Sequence, residues 1–248
     1  MIIETLLPYG HLVTRQYLLQ HGLRVYEVDN ALKQKKIIAL ARGVYARPGV
    51  PVDWQGLASS LNRVINKSVY VGGMYALAQR GLAHDLNFQP TVNFYSNHSE
   101  PAWFQKLQLD IQRSWNLTTR IWIMRELLTA NSLQYMEVPG GSWLLASAEQ
   151  AYLELLTLVP NAVSFEQADN IMQGLTSLSP KRLNVLLQAC RHVLAKRLFF
   201  FFAERHQYPW YKRLNHNDYN LGVGKRSVVK NGRLNKKYQI TVPQAYHG

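Results

Sequence analysis

Apolar residues at the start of the chain recur three and four positions apart in two short stretches separated by a glycine, the period of paired amphipathic helices. Thr14 is placed to cap a first helix running through Gln20, and Gly22 stops it. A second helix begins near Arg24. At about 100° per residue its Val25, Val28, Ala31 and Leu32 fall on one face, and Tyr26, Asn30, Lys33 and Gln34 fall on the opposite one. Residues 37–41, the pair Arg42-Gly43 and residues 44–47 then read as a two-stranded hairpin with a basic tip. Helix, turn, helix and hairpin in this order are the plan of a winged helix-turn-helix.

Pro48-Gly49-Val50-Pro51 interrupts the pattern and predicts a boundary, dividing the chain into residues 1–50 and 51–248. Trp54, Leu57, Ala58, Leu61, Val64 and Ile65 predict an amphipathic helix over 52–66. Short β-branched and aromatic runs at 69–71, 91–95, 107–111, 120–124 and 133–138 predict a small mixed sheet, with a helix over 75–80 between the first two. From Ser147 the period turns helical. Ser147 and Gln150 have capping-box spacing for a helix ending at Pro160, a second helix covers 164–175, and Ser179-Pro180 opens a long third one reaching Phe202. A final hairpin is expected between 227–229 and 238–242, turning at Asn231-Gly232. The fold class is therefore α+β: an N-terminal winged helix-turn-helix plus a larger mixed α/β domain with a small sheet and a helical, basic C-terminal part.

Charge sharpens this picture. The 248 residues carry 28 Lys and Arg against 15 Asp and Glu, a net +13. Residues 1–50 hold seven cations and three acids, residues 51–190 nine and ten, and residues 191–248 twelve and two. Two basic ends around a near-neutral middle point to two electrostatic tasks with polyanions as the natural partners. At the first end Asn30 and Gln34 suit adenine, Lys33 suits guanine or phosphate, and Tyr26 suits a thymine methyl, which are the residue types of major-groove reading. Arg15, Arg24, Arg42 and Arg47 surround that face. At the other end Lys225, Arg226, Lys230, Arg233, Lys236 and Lys237 form a basic surface for phosphates or for an acidic protein face.

Candidate chemistry is sparse, and no catalytic residue, metal site or cofactor is expected. No acid has a lysine two positions after it, as a restriction-type nuclease centre needs, and Asp53, Asp85, Glu100, Asp110 and Glu126 show no metal spacing. No two histidines stand four apart. Val71-Gly72-Gly73 and Pro139-Gly140-Gly141-Ser142 lack the Lys-Ser/Thr ending of a nucleotide loop and read as turns. The lone Cys190 lies among leucines as a core filler, and its solitude fits a reducing cytoplasm. MIIETLLPYG has no signal-peptide character, and no apolar run reaches the ~18 residues of a membrane span. Phe199 to Phe202 point in all directions from one helix, so core packing on the sheet is expected first, with some of them on a partner surface or a second subunit.

The N-terminal residues Gly10-His11-Leu12-Val13-Thr14, Gly22-Leu23, Leu32 and the hairpin Arg42-Gly43-Val44-Tyr45-Ala46-Arg47-Pro48-Gly49 resemble the winged-helix domain of the AbiEi-type antitoxins of bacterial abortive-infection systems. Gly224-Lys225-Arg226, Asn231-Gly232 and Lys237-Tyr238-Gln239-Ile240-Thr241-Val242-Pro243 are similar to the end of that family's antitoxin domain. The resemblance implies a first domain that represses its own operon by binding inverted-repeat operator DNA, and a second that counteracts a nucleotidyltransferase-like toxin without necessarily forming a stable complex. Inverted repeats would place two copies on DNA, a homodimer there. Two other readings stay open on the residues alone: a stand-alone winged-helix regulator with a ligand-binding or dimerising C-terminal domain, and a nucleic-acid-modifying enzyme.

Overall fold

The computed structural model describes residues 2–65, 68–83 and 91–246, the side chain of Ile2 excepted. In chain order its elements are α1 (Ile2–Leu6), β1 (Leu12–Thr14), α2 (Arg15–Gln20), α3 (Val25–Lys33), β2 (Ile38–Ala41), β3 (Val44–Ala46), α4 (Trp54–Ile65) and β4 (Val69–Val71). There follow α5 (Gly73–Gln79), β5 (Val92–Ser96), β6 (Arg113–Leu117), α6 (Met124–Leu127), β7 (Leu133–Val138) and β8 (Gly141–Ala146). The last are α7 (Ala148–Leu156), α8 (Phe165–Gly174), α9 (Pro180–Ala189), α10 (Val193–His206), β9 (Arg233–Asn235) and β10 (Ile240–Val242). They fall into two compact units: Met1–Val71 with Gln89–Asn116 and Gln134–Leu145, and Gly72–Phe88 with Leu117–Leu133 and Ala146–Gly248. The winged helix and the five-stranded sheet belong to the first.

The first unit is built as the helical periods predict. Thr14 Oγ1 accepts from the Tyr17 N–H at 3.1 Å and caps α2, and Gly22, with φ of +96°, supplies the left-handed turn into α3. Leu7, Val13, Leu18, Val28 and Ile37 close a common core under the helices. Val25 departs from its assigned face: it is exposed, because as the first residue of α3 it lies ahead of the turn that packs on this core. The hairpin β2–β3 is present, and β1, which periodicity missed, completes a sheet of order β1-β3-β2. Three residues are too few to register an alternation, so β1 has no sequence signal of its own. Helix α4 lies close against the segment leading into β1 at Gly56, where a Cβ would stand 1.9 Å from the Gly10 carbonyl oxygen. Ser60 Oγ accepts from the Leu12 N–H at 3.0 Å. The predicted end of α4 at residue 66 lies outside the described residues.

The second sheet has order β6-β5-β4-β8-β7, with β4 antiparallel to β5 and parallel to β8. Two predicted strands are not there. Residues 107–111 form a loop wrapped on Arg113, whose guanidinium donates to the carbonyls of Phe104, Leu107 and Ile111 at 3.1, 2.9 and 3.1 Å, and the strand follows at β6. Residues 120–124 give a single bridge, Trp122 to Cys190, between a helical turn and α6. In its place β8 joins the sheet, its glycine-led start having read only as a turn.

In the second unit α7 and α8 start at Ser147 and Ser164 as expected, and Ser164 with Gln167 makes a capping box. Gln150 does not reach back to its cap; its amide serves Ser132 and Glu154 instead. The long third helix is two helices. The chain turns extended at Cys190, where Ile123 N–H and Arg191 N–H bond the Ala189 and Ile121 carbonyls, and His192 Nδ1 recaps α10 by accepting from Ala195 N–H at 3.1 Å. Phe199 to Phe202 are all buried, among Tyr152, Phe165, Trp210, Tyr219 and Tyr238, so none faces a partner. The terminal hairpin pairs β9 with β10, Ile240 opposite Asn235, and turns at 236–239. Asn231 does take a left-handed turn, with φ of 57°, but it only leads the chain into β9.

Candidate nucleic-acid interface

Helix α3 buries Val28 and Ala31 and exposes Tyr26, Asn30, Lys33 and Gln34 together. Its two acids are both engaged. Glu27 Oε2 accepts from the Arg24 N–H at 2.7 Å and lies 3.5 Å from the Arg24 guanidinium; the N–H first, then the cation, hold this carboxyl below its usual range. Asp29 meets Arg15 at 2.8 Å. Arg24 also stacks on Tyr26, 4.7 Å from its ring centroid.

Arg42 stands exposed at the wing tip. Arg15 ties that tip to the helices: its N–H donates to the Gly43 carbonyl at 2.8 Å, and its guanidinium lies 3.4 Å from Tyr45 Oη. It is thus an anchored cation, held by Asp29 and Tyr45. Arg47 departs from expectation. It follows β3 at the base of the hairpin, away from the tip, and covers the Tyr9 ring at 3.6 Å. The structure therefore gathers Tyr26, Asn30, Lys33 and Gln34 with Arg24 on one helix, links them through Arg15 to Arg42, and leaves Arg47 apart. Asp29 and Tyr45 went unnoticed in the sequence, because only the fold brings them to Arg15. A cleft of about 440 Å³, lined by Ile3, Leu23, Ala31, Asn30 and Gln34 among others, flanks the same helix.

The six C-terminal cations are all exposed. Arg233 lies on β9, Lys236 and Lys237 lie in the turn to β10, and Arg226 bridges Ile240, bonded to Gln239 and Thr241 at 2.9 and 3.0 Å. Lys225 and Lys230 flank that bridge. Lys237 pairs with Glu204. Lys212 and Arg213, also exposed, follow Tyr211, whose Oη lies 3.3 Å from Tyr238 Oη beside the turn. The whole segment hangs on Arg197, which is 2 % exposed and donates to the carbonyls of Leu221, Gly224 and Gln239 at 2.7, 2.6 and 3.1 Å.

Other titratable groups are arranged for structure. Burial lowers His11 below the usual imidazole range, only partly offset by its Tyr9 carbonyl partner, and lowers His192 likewise. Burial pushes the Cys190 thiol up to about 11, so it is not a thiolate. Among the described residues no three His, Cys, Asp or Glu side chains group as a metal site, and no helix is long and apolar enough to cross a membrane. Asp85 lies outside the described residues.

A family model described as "Transcriptional regulator, AbiEi antitoxin N-terminal domain" matches residues 3–88, and one described as "Transcriptional regulator, AbiEi antitoxin, Type IV TA system" matches residues 89–243. The chain belongs to the AbiEi antitoxin family. It is thereby placed among the antitoxin transcriptional regulators of type IV toxin–antitoxin systems. No curated protein matches the chain significantly. Among solved structures, the RV2827C protein from Mycobacterium tuberculosis is similar at 15% identity, with a TM-score of 0.51 over 93% of this chain and 85% of that one, a likeness of fold. Within this AbiEi-family chain, the N-terminal match takes in the winged helix together with α4, β4 and α5, and the second match takes in the basic hairpin.

Proposed function

We propose that this protein is a cytoplasmic, non-enzymatic antitoxin that represses its own operon, with residues 1–50 reading inverted-repeat operator DNA and residues 51–248 neutralising a nucleotidyltransferase-like toxin. The observation that carries the reading is the joint exposure of Tyr26, Asn30, Lys33 and Gln34 on a helix whose neighbour Arg15 is tied to the basic wing tip. Side chains of these types enter a major groove while the wing reaches the adjacent backbone. An inverted repeat then receives two copies. The basic C-terminal surface supplies further phosphate contacts.

The test combines two assays. Replacing Asn30 and Gln34 with alanine should abolish preference for the upstream region of its own gene over a scrambled duplex while leaving rescue of growth from the adjacent gene's product intact. Deleting residues 1–50 is a poorer test, since β1 and the segment leading into it pack on α4 at Ser60 and Gly56. Operator preference surviving in the double variant would refute the helix assignment, and absence of growth rescue by the wild type would refute the antitoxin one. Replacing Lys225, Arg226, Arg233 and Lys236 with glutamine should flatten the salt dependence of DNA binding by about 0.9 per lost phosphate contact. An unchanged slope would assign that surface to protein.

A further inference from the structure

Asp29 is out of place on a helix offered to DNA. It lies about 60° around α3 from Tyr26, on the side of Lys33, and so borders the reading face. Its side chain is 44% exposed. Neither capping nor the helix dipole accounts for it: Glu27 already serves the helix start, and Asp29 lies beyond the first turn, where a carboxylate gains little. An exposed ion pair contributes little to stability. A carboxylate beside approaching phosphates weakens binding to every duplex alike, whatever its sequence.

What Asp29 does hold is Arg15. The guanidinium donates to Asp29 Oδ1 at 2.8 Å on one side and to Tyr45 Oη at 3.4 Å on the other, while the Arg15 backbone N–H donates to the Gly43 carbonyl at the wing tip. One cation thus stands between the reading helix and Arg42, with 34% of its side chain exposed. We infer that Asp29 is a specificity-setting residue: it holds Arg15 as a fixed strut between α3 and the wing and so withholds that cation from the phosphates of non-operator DNA. This rests on the reading of α3 as the DNA-reading helix. On a duplex that α3 fits, the strut keeps helix and wing in register. On one it does not fit, a freed arginine would chase the nearest phosphate, and Asp29 prevents it.

The experiment measures affinity and salt slope of the full-length protein on its operator and on a scrambled duplex, for the wild type, Asp29→Asn, Arg15→Gln and the double variant, with thermal melts to confirm folding. Asp29→Asn should bind the scrambled duplex about 3- to 10-fold more tightly and steepen its slope by about 0.9, one added phosphate contact. Operator affinity should rise less, so the ratio falls. The double variant should return to the wild-type slope, because the gain passes through Arg15. A wild type that prefers its operator beside an Asp29→Asn protein with unchanged scrambled-duplex affinity would overturn this inference alone. A steepened slope persisting in the double variant would overturn it too, reducing Asp29 to a simple repulsive charge. A wild type with no operator preference would overturn the DNA reading itself, and the inference with it.

Discussion

Arg197→Met separates the two halves of the proposed function at a buried residue that holds the C-terminal segment without itself being one of the exposed cations proposed for contact. Arg197 makes three hydrogen bonds from a buried guanidinium to the carbonyls of Leu221, Gly224 and Gln239. Each bond from a charged donor contributes about 1.5–3 kcal/mol, so the gross loss is about 5–9 kcal/mol. Much is returned. Methionine carries no desolvated charge, and Gly222 to Lys225 are exposed, so water can reach the first two carbonyls. The Gln239 carbonyl keeps the Arg226 N–H at 2.9 Å. The net cost is then near that of one badly served carbonyl, about 2–3 kcal/mol, and it falls on the C-terminal segment. Amides of Arg226 and Thr241, whose bonds close that segment, should exchange with deuterium about 30- to 150-fold faster at tenfold per 1.4 kcal/mol. Growth rescue should weaken while operator preference persists. Unchanged exchange at these two amides would show that the three bonds do not hold the basic end, and the reasoning would fail.

Three further predictions address stability. Thr14→Ala removes the acceptor at the start of α2 and should cost about 1 kcal/mol in denaturant unfolding, with α2 amides the first to lose protection. Glu154→Gln puts an amide where a fully buried carboxylate accepts from Gly73 N–H, Trp122 Nε1–H and Gln150 Nε2–H; it should cost about 2–3 kcal/mol, seen as a lowered urea midpoint with unchanged slope. His11 and His192 have folded-state pKa values below the unfolded 6.5, so the unfolded chain takes up protons first: stability is full above pH 6.5 and falls as pH drops from there toward the lowered values. His192→Asn keeps a capping acceptor without a titrating ring and should flatten part of that fall in melts between pH 7 and 5; an unaltered profile would remove His192 from the account.

Periodicity revealed what local forces decide. Both helices of the helix-turn-helix, the wing, and the Ser147 and Ser164 helix starts follow from spacing and caps that act within a few residues. The failures share a different cause. Residues 107–111 have strand composition but serve as a loop because Arg113, farther along, satisfies their carbonyls. The apolar stripe from Leu183 to Leu198 continues across Cys190, yet the helix breaks there because Ile123 N–H and the Ile121 carbonyl take the backbone groups of Ala189 and Arg191. His192 was the available signal, since a polar acceptor three residues before Ala195 marks a helix start. Composition placed the proposed contact surfaces at both ends of the chain, but the roles of Arg15 and Arg47 were invisible: one depends on Asp29 and the other on Tyr9, and neither pairing has a local signature.

Counting charges by segment treats every cation as available, and the fold shows where that holds. At the N-terminal end Arg15 and Arg24 are each matched to an acid of α3, so the reading helix presents little net charge of its own and is left to its amides, Tyr26, Lys33 and the wing arginine. At the C-terminal end, among the described residues, only Lys237 of the six predicted cations is ion-paired. On the proposed function, this charge pattern suits the first surface to discriminate and the second to attract. On that reading, a polyanion approaching this chain would be drawn by the second surface whatever its sequence, and a duplex would be sorted only where Tyr26, Asn30, Lys33 and Gln34 meet base edges. Withdrawing charge from the proposed reading face would then be a condition for repression at a single operator, because non-operator sites would compete through the same phosphates.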